Sequence, residues 1–184
     1  ILCNQSLVYI NNTKTTLDKV YLHIYPNAFC DKKSIPFEES EMERAYPNGF
    51  NEGYIDIKNV LNNNNKMKYE IIGDKNDILE VKLDKLLKEG ESIKIDLKYN
   101  VKLPNCLGRF GYGENTVNVT NWFPIACVYD DKGWNLKSYE AVGDPFYSDT
   151  SNFEVRLLAP SKYKLATTGE IVEQKTDTEK TLYT

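Results

Sequence analysis

The sequence predicts an all-β fold, a twisted β-sandwich or saddle of about ten mostly antiparallel strands with one short helix. Three observations carry that expectation. Apolar and polar residues alternate at period two in stretch after stretch, as half-buried strands require. Polar turns separate these stretches at intervals of about 8 to 15 residues, which suits a sandwich. Only one segment carries both the start and the stop signals of a helix.

The clearest strand is Lys19-Val-Tyr-Leu-His-Ile-Tyr25, with Val20, Leu22 and Ile24 on one face and Tyr21, His23 and Tyr25 on the other. Leu7 to Ile10 is a partner for it across the turn-rich Asn11-Asn-Thr-Lys-Thr-Thr16, and together they suggest a hairpin. Next, Pro36-Phe-Glu-Glu-Ser-Glu-Met-Glu-Arg-Ala-Tyr46 places proline and acids first, good helix formers after them, and Pro47 and Gly49 beyond, which reads as the one short helix. Its early acids favour the positive end of the helix dipole and need no catalytic explanation. Further alternating runs are Tyr54 to Val60, Met67 to Ile72, Ile78 to Leu83, Ile93 to Val101 and Phe153 to Leu158. Between them lie Asn62-Asn-Asn-Asn65, Gly73-Asp-Lys-Asn-Asp77 and Lys88-Glu-Gly-Glu91, all built from turn residues. Asn105 to Gly113 and Asp130 to Ser151 read as loops that form one end of the sandwich, where a binding surface would lie.

Composition removes several function classes. The 184 residues fit one domain, and 41% hydrophobic against 27% charged residues is the balance of a folded core, not of a disordered tail. One histidine cannot supply a multi-histidine zinc site or an H-E-x-x-H helix. Twenty-three basic against 27 acidic residues give a net charge of −4, whereas a nucleic-acid binder needs clustered positive charge. Apolar runs such as Ile125 to Val128 fall far short of the ~20 residues that span a bilayer. Cys3, Cys30, Cys106 and Cys127 form no C-x-x-C pair and read as free thiols, with a disulfide left open if the protein is exported. Opening on Ile1-Leu-Cys3 without methionine, the chain reads as a piece of a longer polypeptide.

Local motifs add little chemistry. His23 lies on the polar face of its strand with no matching nucleophile signature, so it is not assigned to catalysis. Paired carboxylates are defined in space, so the sequence does not identify any. Trp122, Trp134 and Tyr139 could form an aromatic sugar platform, although packing is the commoner use of such rings. Asn4, Asn11 and Asn118 begin glycosylation-type triplets, a short and common pattern. Gly111-Tyr-Gly113 lacks the strand-to-helix context of a phosphate loop.

Three stretches carry a resemblance when taken together. Tyr21-Leu-His-Ile-Tyr-Pro-Asn-Ala-Phe29 is a strand ending in a Pro-Asn turn. Tyr46-Pro-Asn-Gly-Phe50 leads into Gly53-Tyr-Ile-Asp-Ile-Lys-Asn-Val60. The third runs from Arg109-Phe-Gly-Tyr-Gly113 through Asn121-Trp-Phe-Pro124 to Gly143-Asp-Pro-Phe-Tyr147 and Thr167-Thr-Gly169. In order and separation they cover most of the chain, and it resembles the N-terminal all-β domain of the aminopeptidase N family of zinc metallopeptidases, in a bacterial subgroup.

The resemblance implies a non-catalytic domain that packs on a separate thermolysin-like catalytic domain and lines its substrate cleft. Zinc would be held by that missing domain, so no cofactor, metal ligand or catalytic residue is assigned to this chain. The implied partners are its own catalytic domain and, through the parent, a peptide; no nucleic acid and no membrane span are expected. In relatives, a loop before the Trp-Phe-Pro stretch supplies a Gln or Glu that grips the substrate's α-amine. Counting back from Phe123 puts that position near Asn115, with Glu114 beside it, and a carboxylate there would make a charge-assisted bond to a protonated amine. The family's Phe-Pro-Cys-Phe-Asp is replaced here by Phe123-Pro-Ile-Ala-Cys-Val-Tyr-Asp130, and its Gln-x-Gln or Gln-x-Glu element is not recognisable. A plain turn is therefore the alternative reading of Glu114 and Asn115, and Asp144 and Tyr147 read as structural. Two rivals stay open: a carbohydrate- or protein-binding module using Trp122, Trp134 and Tyr139, and a scaffold domain of an inactive peptidase homologue.

Overall fold

The computed structural model describes residues 1–140 and 142–184 and divides into two compact units, Ile1–Asp149 and Thr150–Thr184. The first unit is built on two four-stranded antiparallel sheets. Its strands in chain order are β1 (Leu2–Ile10), β2 (Leu17–His23), β3 (Tyr54–Asn62), β4 (Asn65–Lys66), β5 (Tyr69–Ile72), β6 (Ile78–Leu87), β7 (Ser92–Lys102), β8 (Phe110–Tyr112), β9 (Val117–Val119) and β10 (Ile125–Ala126). Two further short strands, β11 (Tyr129–Asp130) and β12 (Gly133–Trp134), pair with each other. The sheets run β1-β7-β3-β4 and β10-β2-β6-β5. This is the all-β sandwich expected from the alternating pattern.

The core lies between the sheets because each contributes its apolar rows to it. Ile95, Leu97, Tyr99 and Val101 of β7 meet Val20 and Leu22 of β2 and Leu79 and Val81 of β6 in one buried cluster. Each fully buried aliphatic side chain contributes about 1.5–3 kcal/mol. In β3 the register shifts between Ile57 and Asn59, so Lys58 bulges out and Val60 turns inward where strict alternation would bury Asn59. Asn63 and Asn64, both at positive φ, close the β3–β4 hairpin, a conformation that asparagine tolerates.

The expected hairpin of β1 with β2 does not form: β1 pairs with β7, and β2 pairs with β6 and β10. The linker instead crosses from one sheet to the other around Asn11. Its buried amide donates to the carbonyls of Thr15 and Leu87, both at 2.9 Å, while its Oδ1 accepts from the backbone and hydroxyl of Thr13. These bonds satisfy a polar group that burial would otherwise penalise, and they fix the crossing. They also remove Asn11 from the glycosylation candidates.

After β2, Tyr25–Phe29 forms a 3₁₀ turn with Pro26 near its start, a helical element that the alternation did not signal. Asn27 ties this turn to its surroundings, donating to Asn76 O at 2.7 Å and accepting from Ile55 N at 2.9 Å. The predicted helix over residues 36–46 shortens to a 3₁₀ turn, Glu39–Glu41, and one α turn, α1 (Met42–Ala45). Ala45 and Tyr46 bury there with Ile35 and Cys106. All four cysteines are free thiols, and burial pushes those of Cys3 and Cys106 up to about 11.

The second unit is a three-stranded antiparallel sheet of β13 (Leu157–Pro160), β14 (Gln174–Thr176) and β15 (Lys180–Tyr183), in the order β13-β15-β14. Asp177 closes its β14–β15 turn by accepting from the backbone of Glu179 and Lys180, which holds its carboxyl below the usual range. The strand expected over Phe153 to Leu158 begins only at Leu157, and Phe153 and Val155 are 65% and 52% exposed.

Candidate functional site

Two features of the first unit concentrate chemistry. One is the β8–β9 hairpin, paired from Phe110↔Val119 to Tyr112↔Val117 and closed by a 2.9 Å bond from Gly113 N to Thr116 O. Phe110 and Gly111 are buried at its root, and Phe110 packs on Phe29 at 5.1 Å between ring centroids. Glu114 and Asn115 form its tip. Both are exposed, and neither bonds to a described side chain. The hairpin thus presents a carboxylate and an amide on a short arm whose base is locked in the core.

The other feature lies on the outer face of the second sheet. Alternation assigns that face to solvent, but His23 is 1% exposed and Tyr25 3%, so the polar-face reading of His23 is corrected. Residues 129–140 and 142–147 fold back over it. Trp134 packs on Tyr9, Tyr21 and Tyr129, and Tyr139 packs on Tyr25, Phe29 and Phe146. The strap is pinned by Asp77, a fully buried carboxylate that accepts from Ser138 Oγ at 2.8 Å and Tyr139 N at 2.9 Å. Lys75 Nζ donates to Tyr139 O beside it. Trp122, Trp134 and Tyr139 therefore belong to separate packing contacts and do not form one exposed platform; Trp122 lies edge-on to Phe123.

His23 and Tyr25 stack in parallel, 4.6 Å between centroids, beneath a pocket of about 370 Å³ that the strap walls. Neither imidazole nitrogen of His23 has a hydrogen-bond partner among the described residues, so no nucleophile is paired with it. Burial pulls its pKa down to about 4, only partly opposed by the Asp77 carboxylate. Burial likewise raises the Cys127 thiol far above its ordinary value, so it is no nucleophile either. The pattern does hold a signal for a covered face: Ile78 and Ile125 are the cross-strand partners of His23, and both are apolar.

A stability prediction follows. The unfolded chain protonates His23 near pH 6.5 while the folded chain resists until about 4, so stability is present above pH 6.5 and is lost as pH falls between these values. The loss amounts to about 3 kcal/mol. Urea unfolding at pH 7.5 and pH 4.5 is expected to show it, and His23→Phe is expected to remove about one proton from the pH slope.

Among the described residues no group of three His, Cys, Asp or Glu side chains converges to hold a metal ion. Among the described residues, no helix is long and apolar enough to cross a membrane.

No protein-family model and no curated protein sequence matches the chain. A solved structure does. It is the crystal structure of an M1 zinc metallopeptidase from Deinococcus radiodurans, 15% identical, with a TM-score of 0.51 over 98% of this chain and 33% of that one. The chain has a fold relationship to M1 metallopeptidases. It spans about a third of that relative's length.

Proposed function

We propose that this chain is a non-catalytic, N-terminal β domain of a zinc aminopeptidase-like metallopeptidase of the aminopeptidase N type, packing on a catalytic domain that carries the zinc. What supports the reading is a fold shared with one third of an M1 peptidase, together with a hairpin whose exposed tip residues bond to no described side chain. Glu114 would meet the protonated α-amine of a peptide, and Asn115 would add an amide oxygen. Neither takes part in bond cleavage, so their work is to fix the substrate's end by a charge-assisted bond.

Two measurements test this. In the intact protein, Glu114→Gln is expected to raise KM for an aminoacyl-naphthylamide about tenfold with little change in kcat, the size of one charged hydrogen bond. Asn115→Ala is expected to act in the same direction and more weakly. An unchanged KM in both variants overturns the amine-gripping role. The 184-residue chain by itself is expected to hydrolyse no aminoacyl-naphthylamide and to bind no stoichiometric zinc; either result in the opposite sense ends the proposal.

A further inference from the structure

The β8–β9 hairpin is a two-stranded sheet of its own, and all three residues of β9 are exposed. A short ribbon of that kind is marginal in water, so something outside it has to hold the tip in one place. The loop from Pro104 to Gly108 does so by lying along the hairpin as a splint. Gly111 and Asn118 are cross-strand partners, and a Cβ on Gly111 would meet Cys106 O and Pro104 O, so the loop backs that side of the hairpin. It is bonded to both strands. Tyr112 N donates to Pro104 O at 3.0 Å, Asn105 Nδ2 donates to Tyr112 O at 3.1 Å, and Asn118 Nδ2 donates to Gly108 O at 2.8 Å.

The same loop is fixed to the end of α1 and to the segment after it. Leu107 N donates to Ala45 O at 2.8 Å, Asn105 N donates to Asn51 Oδ1 at 3.0 Å, and Asn48 Nδ2 donates to Asn105 Oδ1 at 2.9 Å. Asn105 stands where the two sets of bonds cross. A carbonyl can only accept, so the amide NH₂ of Asn105 faces Tyr112 O, and its Oδ1 is left to accept from Asn48. One side chain thus ties β8, two residues before Glu114, to the segment that follows α1. Aspartate in its place would still accept from Asn48 but would have no hydrogen to give Tyr112 O.

We propose that Asn105 is a positioning residue for the amine-gripping site, holding Glu114 where a protonated α-amine is met by latching the hairpin at the Tyr112 carbonyl. The inference rests on the role proposed for Glu114 and adds to it a residue outside the hairpin. A tip that is in place only part of the time binds in proportion to that fraction. The cleavage step, in which Glu114 has no part, is left as it was.

Two measurements test this, one of them independent of activity. Gly113 N, bonded to Thr116 O just before the tip, reports hairpin opening by amide hydrogen exchange in the 184-residue chain. Asn105→Asp is expected to speed that exchange about fivefold, the size of one neutral hydrogen bond. Asn62→Ala deletes a similar bond, from Asn62 Nδ2 to Lys94 O at the end of β3, and is expected to leave Gly113 at the parent rate. In the intact protein, Asn105→Asp is expected to raise KM for alanyl-naphthylamide about fivefold with kcat unchanged. In a Glu114→Gln background it is expected to add little, because displacing a tip that has lost its charge changes little. Parent-rate exchange at Gly113 in Asn105→Asp overturns the latch, whatever Glu114 does. Faster exchange with an unchanged KM overturns the positioning role where Glu114→Gln by itself raises KM. If Glu114→Gln also leaves KM unchanged, the amine-gripping reading has failed and the positioning role falls with it. A KM effect fully additive with that of Glu114→Gln overturns the proposal too, since Asn105 would then act by another route.

Discussion

Replacing Gly111 by alanine is expected to destabilise the first unit by about 3 kcal/mol or more, among the larger effects a single methyl group can have. Gly111 sits in β8 at φ +148°, where side chains are rarely accommodated, and a Cβ there would lie 2.5 Å from Cys106 O and 3.0 Å from Pro104 O. Both neighbours are backbone, so no side chain can swing away to relieve the overlap. Relief by movement of the loop is opposed as well. Pro104 is wedged from the other side against Gly53, whose own Cβ would fall 2.4 Å from the proline ring, and Tyr112 N is bonded to Pro104 O at 3.0 Å. The chain at Pro104 thus runs through a slot between two glycines. Displacing it would tilt the hairpin that carries Glu114 and Asn115, so the variant is expected to lose stability and tip geometry together. Urea melts measure the first, with Gly169→Ala, where a Cβ meets nothing within 4 Å, as a control expected to change stability by less than about 0.5 kcal/mol. A Gly111→Ala protein as stable as that control would show that the slot is loose.

The same two glycines show what could be read from the chain and what could not. Gly53-Tyr-Ile and Arg109-Phe-Gly-Tyr stand out in the sequence as a resemblance, but the reason for the glycines is a close approach, of Gly53 to the ring of Pro104, 51 residues away, and of Gly111 to the carbonyls of Cys106 and Pro104. The strands Tyr54–Asn62, Ile78–Leu87 and Ser92–Lys102 were legible because their inward rows are buried by a facing sheet, and period two is the direct imprint of that burial. The partner of β1 was not legible. Neighbours in sequence pair by default, and only the bonds of Asn11 to Thr15 and Leu87 show that the linker crosses between sheets instead. Phe153 and Val155 illustrate the opposite error, since their alternation is real although both are more than half exposed, and period reports rhythm without reporting what covers the residue. His23 fails for a related reason. Its strand looks two-faced, and the strap that buries the outer face arrives more than a hundred residues later in the chain. The tip residues Glu114 and Asn115 lie at an exposed turn, a position that the sequence permits without distinguishing a simple turn from a binding arm.

Asp77→Ala is expected to lower stability by about 3 kcal/mol, because two hydrogen bonds to a charged acceptor disappear at once and one donor, the Tyr139 amide, stays buried. The donors are Ser138 Oγ and Tyr139 N, at 2.8 and 2.9 Å, and they are what holds the strap over His23 and Tyr25. An opposing effect has to be weighed. A fully buried carboxylate is itself costly, so its removal returns part of the loss. Asp77→Asn separates the two contributions. The asparagine oxygen can still accept from Tyr139 N, and the Ser138 hydroxyl can rotate to accept from the new amide, so both links survive without the charge. This variant is expected to stay within about 1 kcal/mol of the parent. Hydrogen exchange at the Tyr139 amide gives the local counterpart: markedly faster in Asp77→Ala, near the parent rate in Asp77→Asn. If alanine and asparagine variants were equally stable and equally protected, the strap would be held by its aromatic contacts alone, with Tyr139 on Phe29 and Trp134 on Tyr21 sufficient to cover the sheet. If instead the alanine variant loosens as expected, the wall of the His23 pocket depends on one buried carboxylate reaching from the turn before β6.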